Sequence, residues 1–517
     1  MTGDPEQPLS RRRFLGLVGA STGAVALDPA SVVASPRHAP RAHASPAADH
    51  FGRIFRLPPF AEQGPKVEAA LRELGRPGGL LDAADALAAG PKALIVDPSL
   101  SANNPNNPNQ TAGTTFLGQF LDHDITFDAT SRLAHATRPA QARNFRTPAL
   151  DLDSVYGAGP VAQPELYDPR DTIKLKVESG GVFEDLPRRT DGAAIIGDPR
   201  NDEHMVIAGL HCAFLLFHNR AVDHVREHRR LSDPTAVFAA ARRLTTWHYH
   251  WLVLHEFLPQ IVGHAMVDDV LRHGRRFYRP RRGKTFIPVE FQTGAYRMGH
   301  SMVRPSYRAN LAGDNGQPFF GFIFDPSQEG RVDPDDLRGG CRAPRRFIGW
   351  QTFFDFGDGE VKPNKRIDTK ISTPLFRLPL SAIASHDAPI ALPQRNLLRH
   401  LTWQLPSGQR VAHTMGATPL APSDLHELAP LGVGFERSTP LWYYVLKEAE
   451  VTADGLHLGL VGGRIVAEVF VGLLQTDPGS YLATHPRWRP TLPSRTGTFR
   501  MSDFLAFARV DPQSRGQ

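Results

Sequence analysis

The amino-acid sequence predicts a mainly α-helical protein with long loops and little β structure. Apolar residues recur at helical spacing in several long stretches, and no stretch alternates apolar and polar residues as a half-buried strand does. The 517 residues include 45 prolines and 45 glycines, which indicates many turns and long connections. Hydrophobic residues make up 41% and charged residues 22% of the chain, a balance typical of a folded globular protein with a large core.

The first 50 residues are predicted to lie outside that core. Residues 10–15, SRRRFL, precede a weakly apolar stretch at 16–27 that is too short to span a membrane permanently. A twin arginine before a modest apolar region resembles a Tat export signal, and a basic disordered tail is the alternative. We therefore expect signal and linker at residues 1–50, one domain at residues 51–517, and a secreted or cell-envelope protein.

Charge and cysteine content exclude several classes of protein. The formal charge is +6, but the basic residues are scattered and form no stripe interleaved with aromatic residues, so nucleic-acid binding is disfavoured. Two cysteines, Cys212 and Cys341, cannot form a disulfide framework or a thiolate metal cage.

Short amphipathic segments precede the first long helix. Residues 67–74 and 81–88 are predicted as helices from their apolar spacing. Residues 103–109, NNPNNPN, are predicted as a turn-forming run without regular structure.

The next stretch, TFLGQFLDHDITFDAT at residues 115–130, places polar groups in an apolar helical pattern. Gln119 and His123 lie one turn apart on a common face, and Asp122 and Asp124 flank the histidine in different directions. Burying such an imidazole in an apolar helix is costly unless it is hydrogen-bonded. A satisfied core histidine and a functional histidine facing a pocket both remain open from these residues alone.

A second polar cluster follows in TPALDLDSVYG, at residues 147–157. Asp151 and Asp153 are two positions apart in a loop, and Thr147 precedes them. Carboxylates, a hydroxyl and free backbone carbonyls are the hard oxygen ligands that Ca²⁺ takes. A Ca²⁺ shared with Asp124 would fix the helix of His123, whereas two exposed aspartates near a turn are the simpler alternative.

Residues 198–230 give the clearest helix signal, with one apolar stripe and basic residues near the end. Arg200 and Glu203 stand at its start, where such residues most often form a surface ion pair. A second long helix is predicted from Pro234 to Pro259. Its His248 and His250 are two apart and point to different sides, so they cannot share one metal ion.

Two later helical stretches carry polar pairs. In EFQTGAYRMGHSM, Arg297 lies about one turn before His300, and in RNLLRHLTWQLP, Asn396 and Arg399 are again one turn apart.

These motifs, taken in order, resemble those of a known family. The succession GQFLDHD, LDLDSVYG, GDPRNDE opening a helix that runs to FHNR, HEFLP, YRMGHS, and N-x-x-R closing on LP is similar to the animal-type haem peroxidases of the peroxidase–cyclooxygenase superfamily. The similarity extends over roughly residues 103–470. Six motifs in one order are far more specific than any one of them.

The resemblance assigns a role to each matching residue. It implies that His123 is the distal histidine, Gln119 the neighbouring distal amide and Arg200 the distal arginine. It implies that His300 is the proximal ligand of haem iron and that Asn396 hydrogen-bonds the proximal imidazole.

The same resemblance implies cofactor contacts beyond these five. Asp122 and Glu203 match carboxylates that are ester-linked to haem in some members, and Arg297 and Arg399 are expected to contact the cofactor. A third link, made by a methionine sulfur in some relatives, falls on His204, so we expect that bond to be absent. The implied calcium shell consists of Asp124, Thr147, the carbonyl of Ala149, Asp151 and Asp153, where some relatives carry serine at the last position.

The resemblance implies a peroxidase with haem b and Ca²⁺ as cofactors. Hydrogen peroxide would generate a ferryl haem that oxidises small donors, either phenols or halides. No nucleic-acid partner and no stable membrane span are expected.

Three rivals remain. A fatty-acid dioxygenase of the same superfamily carries a radical tyrosine three residues before the proximal histidine, but Arg297 occupies that position here and Tyr296 lies four before. The second rival is a calcium-dependent adhesion or matrix protein that kept the fold without the chemistry. The third is an all-helical binding protein for a hydrophobic ligand.

Overall fold

Long helices dominate the computed structural model, which describes residues 50–229, 231–383 and 385–517. The mainly α-helical class is therefore confirmed, while the predicted export signal at residues 1–49 lies outside the described residues. The α-helices are α1 (Pro65–Leu74), α2 (Pro91–Val96), α3 (Ala112–Ile125), α4 (Asp153–Tyr156), α5 (Met205–Arg229), α6 (Pro234–Leu252), α7 (Leu258–Val262), α8 (His264–His273), α9 (Gly299–Met302), α10 (Leu392–Thr402), α11 (Gly408–Thr414), α12 (Leu441–Ala453), α13 (Leu460–Thr476), α14 (Tyr481–Thr484), α15 (Met501–Phe507) and α16 (Pro512–Arg515).

The strands of the described residues form two-stranded antiparallel sheets only. They pair β1 with β8, β2 with β3, β4 with β5, and β6 with β7. The strands are β1 (Asn106–Thr111), β2 (Tyr167–Asp168), β3 (Asp171–Leu175), β4 (Glu178–Ser179), β5 (Glu184–Asp185), β6 (Ser306–Asp314), β7 (Gln317–Phe322) and β8 (Pro363–Lys365).

The hairpin of β6 and β7 is a correction to the sequence prediction, which found no strand pattern of any length. Its turn consists of Asn315 and Gly316, with φ angles of 51° and 81°. An Asn-Gly pair with both φ values positive is the commonest two-residue hairpin turn. Periodicity missed β6 because its first residues are buried on both faces and so do not alternate.

Two further predictions before α3 were wrong. Residues 81–88 do not form a helix, because the carboxylates of Asp82 and Asp85 accept backbone N–H groups from Gly78, Ala84 and Thr373. The asparagine-rich run was expected to lack regular structure, yet its second half begins β1. The Asn107 side chain is fully buried and donates to the carbonyl of Leu456 at 3.0 Å, a distant contact that composition does not reveal.

The centre of the fold is the pair α3 and α5. Every residue of α3 is buried except Gln119 and Asp122, and Phe120 stacks on Phe214 of α5 with ring centroids 4.3 Å apart. The length and mean hydropathy of α5, 25 residues and 1.4, would suffice to cross a membrane, but 78% of its most apolar window is buried in the protein. It is therefore a core helix that supports α3.

The second predicted long helix runs as α6, a π-helical turn at Val253–Phe257, and α7. Asp233 caps its start by accepting the N–H of Ala236 at 2.8 Å. Nδ1 of His248 donates to the carbonyl of Leu244, while His250 bonds to the carbonyl of Leu150, so the two imidazoles face different neighbours.

The segment that carries His300 is an irregular helix against α3. It consists of a π-helical turn (Glu290–Gly294), a 3₁₀ turn (Ala295–Met298) and α9. The hydroxyl of Tyr296 donates to the carbonyl of Gly118 at 3.0 Å, and that of Thr115 to the carbonyl of Met302 at 3.4 Å. These contacts join the helix of His123 to the segment of His300.

Candidate active site

His123 is a buried, neutral imidazole with one nitrogen in use. Its Nδ1 lies 2.9 Å from Oδ1 of Asn201, so Nδ1 carries the proton and donates to the amide oxygen. Burial, followed by repulsion from Arg200, lowers the pKa of His123 to about 3. No described residue hydrogen-bonds Nε2, which is left as a proton acceptor.

Asn201 also reaches a second histidine. Its Nδ2 lies 2.9 Å from Nδ1 of His211, on the first turns of α5. Both side chains are almost fully buried, and burial lowers the pKa of His211 to about 4. One amide thus fixes two neutral imidazoles.

Arg200 is held beside His123 by a dense set of acceptors. Its Nε and Nη2 donate to Asp198 at 3.0 and 2.8 Å, and Nη2 also donates to the carbonyls of Thr126 and His123 at 2.6 and 3.1 Å. Burial opposes the charge, but Asp198 raises the pKa of Arg200 above its ordinary value. Nη1 is 3.8 Å from Asp122, which is beyond hydrogen-bond distance, so the Nη1 group remains available to donate to a ligand.

Arg146 provides a second cation behind Asp198. Its Nε lies 3.2 Å from Asp198 and its Nη1 lies 3.4 Å from Asp153. Although burial opposes ionisation, Arg200 and Arg146 hold the pKa of Asp198 well below its usual range. A buried run of alternating charges therefore connects Arg200 to the aspartate loop.

Gln119 lies between Glu203 and His204. Its Nε2 donates to Glu203 at 3.2 Å, and its Oε1 accepts from Nε2 of His204 at 2.8 Å. Nδ1 of His204 accepts the N–H of Ile207 at 3.3 Å, which leaves the proton on Nε2. His204 therefore fixes which end of the Gln119 amide faces Glu203.

Burial raises the pKa of both carboxyl groups near Gln119 above its ordinary value. Burial raises the pKa of Glu203 to about 8, and burial also raises the pKa of Asp122 despite the opposing charges of Arg200 and Arg297. The charges of Arg200 and Arg297 therefore both act on Asp122, and Nη1 of Arg200 lies 3.8 Å from its carboxylate.

On the proximal side, Asn396 of α10 lies against His300. Its Nδ2 is 2.8 Å from Nδ1 of His300, and its Oδ1 accepts from Arg297 at 3.2 Å. Burial, together with the charge of Arg297, lowers the pKa of His300 to about 3, so the imidazole is neutral. Ligation of a metal through Nε2 requires a half-turn of this amide, so that its oxygen accepts from Nδ1.

Arg297 is the residue that decides the fit of an anionic cofactor. Its Nε is buried without a hydrogen-bond partner, and no carboxylate among the described residues pairs with its guanidinium. Burial lowers its pKa to about 10. A cofactor carboxylate would satisfy Arg297 and release the Asn396 oxygen for His300, so these residues fit haem. Arg399, by contrast, already pairs with Asp128 at 2.8 Å.

The aspartate loop approaches the back of α3. Ligand oxygens of Asp124, Asp151 and Asp153 lie within 4.8 Å of one another. Burial and repulsion from the other two carboxylates raise the pKa of Asp124 well above its ordinary value. Thr147 donates its N–H and hydroxyl to Asp153 at 2.9 and 3.0 Å, and Ala149 belongs to the same loop through an N–H bond to the Thr147 carbonyl. A divalent cation would relieve this repulsion, so the loop fits Ca²⁺.

Several residues of the site escaped the sequence analysis. The sequence does not single out Asn201, His211 or Arg146, because their partners lie 78, 10 and 52 residues away in the chain. Tyr249, which donates to Asp124 at 3.1 Å, was also missed. No local spacing distinguishes these side chains from ordinary core residues.

Comparison with known proteins defines the class of this site. Residues 131–320 match the family model of the animal haem peroxidases. A segment of 247 residues is 24% identical to thyroid peroxidase of Mus musculus and covers 41% of this chain. The matched segments span only 14–29% of the length of such curated relatives.

Solved structures share the fold. Peroxidase A from Dictyostelium discoideum superposes with a TM-score of 0.57 at 16% identity, over 78% of this chain and 85% of the other. A fatty acid α-dioxygenase variant from Oryza sativa with palmitic acid gives a TM-score of 0.54 at 12% identity, over 90% and 86%. These likenesses show that the mainly helical fold of this chain is shared with both structures. The match of residues 131–320 to the animal haem peroxidases supports a place for this chain in the peroxidase–cyclooxygenase superfamily.

Proposed function

We propose that this protein is a haem peroxidase that uses hydrogen peroxide to oxidise small donors, either phenols or halides. The observation that carries the proposal is the pairing of a neutral His123, its Nε2 unengaged, with an Arg200 that donates to the His123 carbonyl at 3.1 Å. A proton acceptor beside a permanent cation suits the cleavage of a peroxide bond.

Haem b, held by His300, would supply the redox-active iron of this reaction. Arg297, which has no ionic partner among the described residues, would meet a haem carboxylate, and Arg399 would contact the cofactor while paired with Asp128. Asn396 would orient the His300 ring. Asp122 and Glu203 are the groups through which ester links to haem would form. His204 offers no sulfur, so a third link is absent.

The protein's own residues then manage the protons. Nε2 of His123 takes one proton from hydrogen peroxide and returns it to the leaving oxygen. Nη1 of Arg200 stabilises the negative charge that develops as the O–O bond breaks, a role worth about 3 kcal/mol for one donor. Gln119, fixed by Glu203 and His204, presents its amide beside the same region.

Ca²⁺ is proposed to lie between Asp124 of α3 and the loop that carries Asp151 and Asp153, together with Thr147 and the carbonyl of Ala149. There it would tie the loop to α3 and so hold His123 in place. Export by the Tat route fits a protein that takes up its cofactor while folding, and we propose that residues 51–517 form the exported domain.

A fatty-acid dioxygenase is the rival function that the fold comparison favours, since a fatty acid α-dioxygenase has a similar fold. The candidate radical tyrosine would be Tyr296, four residues before His300, and its hydroxyl donates to the backbone of α3. Consumption of O₂ with palmitate or linoleate would support that rival. An adhesion or matrix protein would instead show neither a haem absorption band nor guaiacol oxidation.

The direct test is the His123→Ala variant, with exposed His135→Ala as control. The variant should retain haem but react with hydrogen peroxide about 10²- to 10⁴-fold more slowly, the usual contribution of a general acid–base. The control should react at the native rate. A native rate in His123→Ala would remove this function.

A further inference from the structure

A cleft of about 520 Å³ lies apart from His123 and His300. It opens where the loop between α1 and α2, the end of β7 and a 3₁₀ turn at Thr373–Phe376 meet. Its volume falls in the range of small-molecule sites, about 300–1,000 Å³. A neighbouring cavity beside α5, of about 30 Å³, holds water at most.

Aromatic rings form one wall of this cleft. Phe322, Phe324 and Phe376 line it. The Phe324 ring also packs edge-on against His204, with centroids 6.3 Å apart, and His204 donates to Gln119 at 2.8 Å. Only one imidazole therefore separates the aromatic wall from a residue of the proposed distal site.

The lining is acidic. The residues that line it include three aspartates, Asp82, Asp85 and Asp325, and a single cation, Arg377, which is exposed. At neutral pH these four side chains carry a formal charge of −2. The cleft thus combines aromatic surface with negative charge.

The negative charges of these aspartates are neutralised to different extents by nearby cations. Arg304 and Lys365 both act on Asp85 from the protein side. Asp325 accepts the N–H of Ser327 at 2.9 Å and forms no ion pair within the part of the chain that the structure describes. The negative charge of Asp325 is therefore available to pair with a cationic group of a ligand.

We propose that this cleft binds a small aromatic electron donor that carries an ammonium group, and that it is a second donor site; the redox role rests on the proposed function. The phenol ring stacks on the phenylalanines, and the ammonium group faces Asp325. Two phenols each lose one electron and one proton to give phenoxyl radicals, and one hydrogen peroxide is reduced to two waters. Phe324 and His204 lie between the donor and the distal residues.

Equilibrium binding of tyramine, measured by calorimetry, tests the cleft without any turnover. Asp325→Asn should weaken tyramine binding about two- to fivefold, and Arg377→Gln should strengthen it, the range of a partly exposed charge pair. Asp358→Asn is the matched control, since Asp358 is an exposed aspartate that also accepts an N–H two residues ahead, from Glu360. Equal binding of tyramine to all four proteins would overturn the proposal.

Steady-state kinetics test the redox role separately. Tyramine should have a higher kcat/KM than neutral 4-ethylphenol, and that ratio should fall in Asp325→Asn while iodide oxidation stays unchanged. If no peroxidase activity is found but tyramine binds more weakly to Asp325→Asn and more tightly to Arg377→Gln, the proposed binding site is retained and the proposed function is wrong. If iodide is oxidised but no charge preference is seen in binding or kinetics, the proposed donor site is wrong and the proposed function is retained.

Discussion

Oδ1 of Asn201 lies 2.9 Å from Nδ1 of His123, while Nδ2 of the same amide lies 2.9 Å from Nδ1 of His211. The amide cannot reverse unless both imidazoles exchange protons between their nitrogens, because each end would then meet the wrong partner. Asn201 therefore keeps the His123 proton on Nδ1 and the lone pair on Nε2. This tautomer is the one that can accept a proton from peroxide.

Replacement of Asn201 by leucine should separate this role from packing. Asn201→Leu keeps the volume of the side chain but removes the hydrogen bond that holds the His123 proton on Nδ1. The rate of reaction with hydrogen peroxide should therefore fall about ten- to hundredfold, which is less than the full loss of a general base. Stopped-flow measurement of that reaction is the assay, with haem content as a check. Asn219→Leu is the control, since Asn219 lies on α5, the helix of His211, and its side chain bonds to the backbone of Leu175. If both variants react equally fast, Asn201 has only a structural role.

The proximal assignment predicts that His300→Gly loses haem or its absorption spectrum. Added imidazole should restore the spectrum, because it can occupy the space of the deleted ring beside Asn396. His248→Ala is the comparison: this buried histidine bonds to the backbone of Leu244 and Thr491, so its loss should lower the melting temperature but leave haem bound. A native spectrum in His300→Gly without imidazole would rule out His300 as the ligand.

The sequence predicted the long helices because their apolar stripes are local signals, and α3, α5 and α6 appear where periodicity placed them. It also selected His123, Arg200 and His300, since a resemblance in ordered motifs does not depend on contacts. It missed Asn201 and His211 because the value of a buried amide depends on which partners the fold brings to it. The hairpin was within reach of sequence reasoning, because Asn315-Gly316 is a turn signal that periodicity ignores.

Removal of calcium should destabilise the protein. The carboxylates of Asp151 and Asp153 lie close to Asp124 of α3, and burial with their repulsion raises the pKa of Asp124. If Ca²⁺ at 100 times its Kd is chelated, about 2.7 kcal/mol of stability is lost, which thermal melting with and without chelator can measure.

The matched variant for this site is Asp124→Asn, which keeps shape but removes one charge. It should bind less calcium and show little change in melting temperature on chelation. Asp168→Asn, a surface aspartate paired with Arg170, should respond like the native protein. An unchanged calcium stoichiometry in Asp124→Asn would contradict the assignment.

Two arginines near haem should respond in opposite ways when each is replaced by leucine. Arg297 is buried without an ionic partner, so Arg297→Leu should stabilise the haem-free protein while weakening haem retention. Arg399 pairs with Asp128, and although burial opposes it, this arginine helps keep the pKa of Asp128 below its ordinary value. Arg399→Leu leaves that carboxylate buried and unpaired, at a cost of about 3–5 kcal/mol.

The measurement is the melting temperature of the haem-free variants, followed by titration with haem. Arg297→Leu should melt above the native haem-free protein and Arg399→Leu below it, while both bind haem more weakly. The opposite shifts in melting temperature are expected because Arg399 has an ionic partner and Arg297 has none. Both arginines lie close to the groups that hold His300. If Arg297→Leu melts lower than the native protein and retains haem equally well, then its guanidinium is satisfied within the protein, and the carboxylates of the cofactor must be held elsewhere.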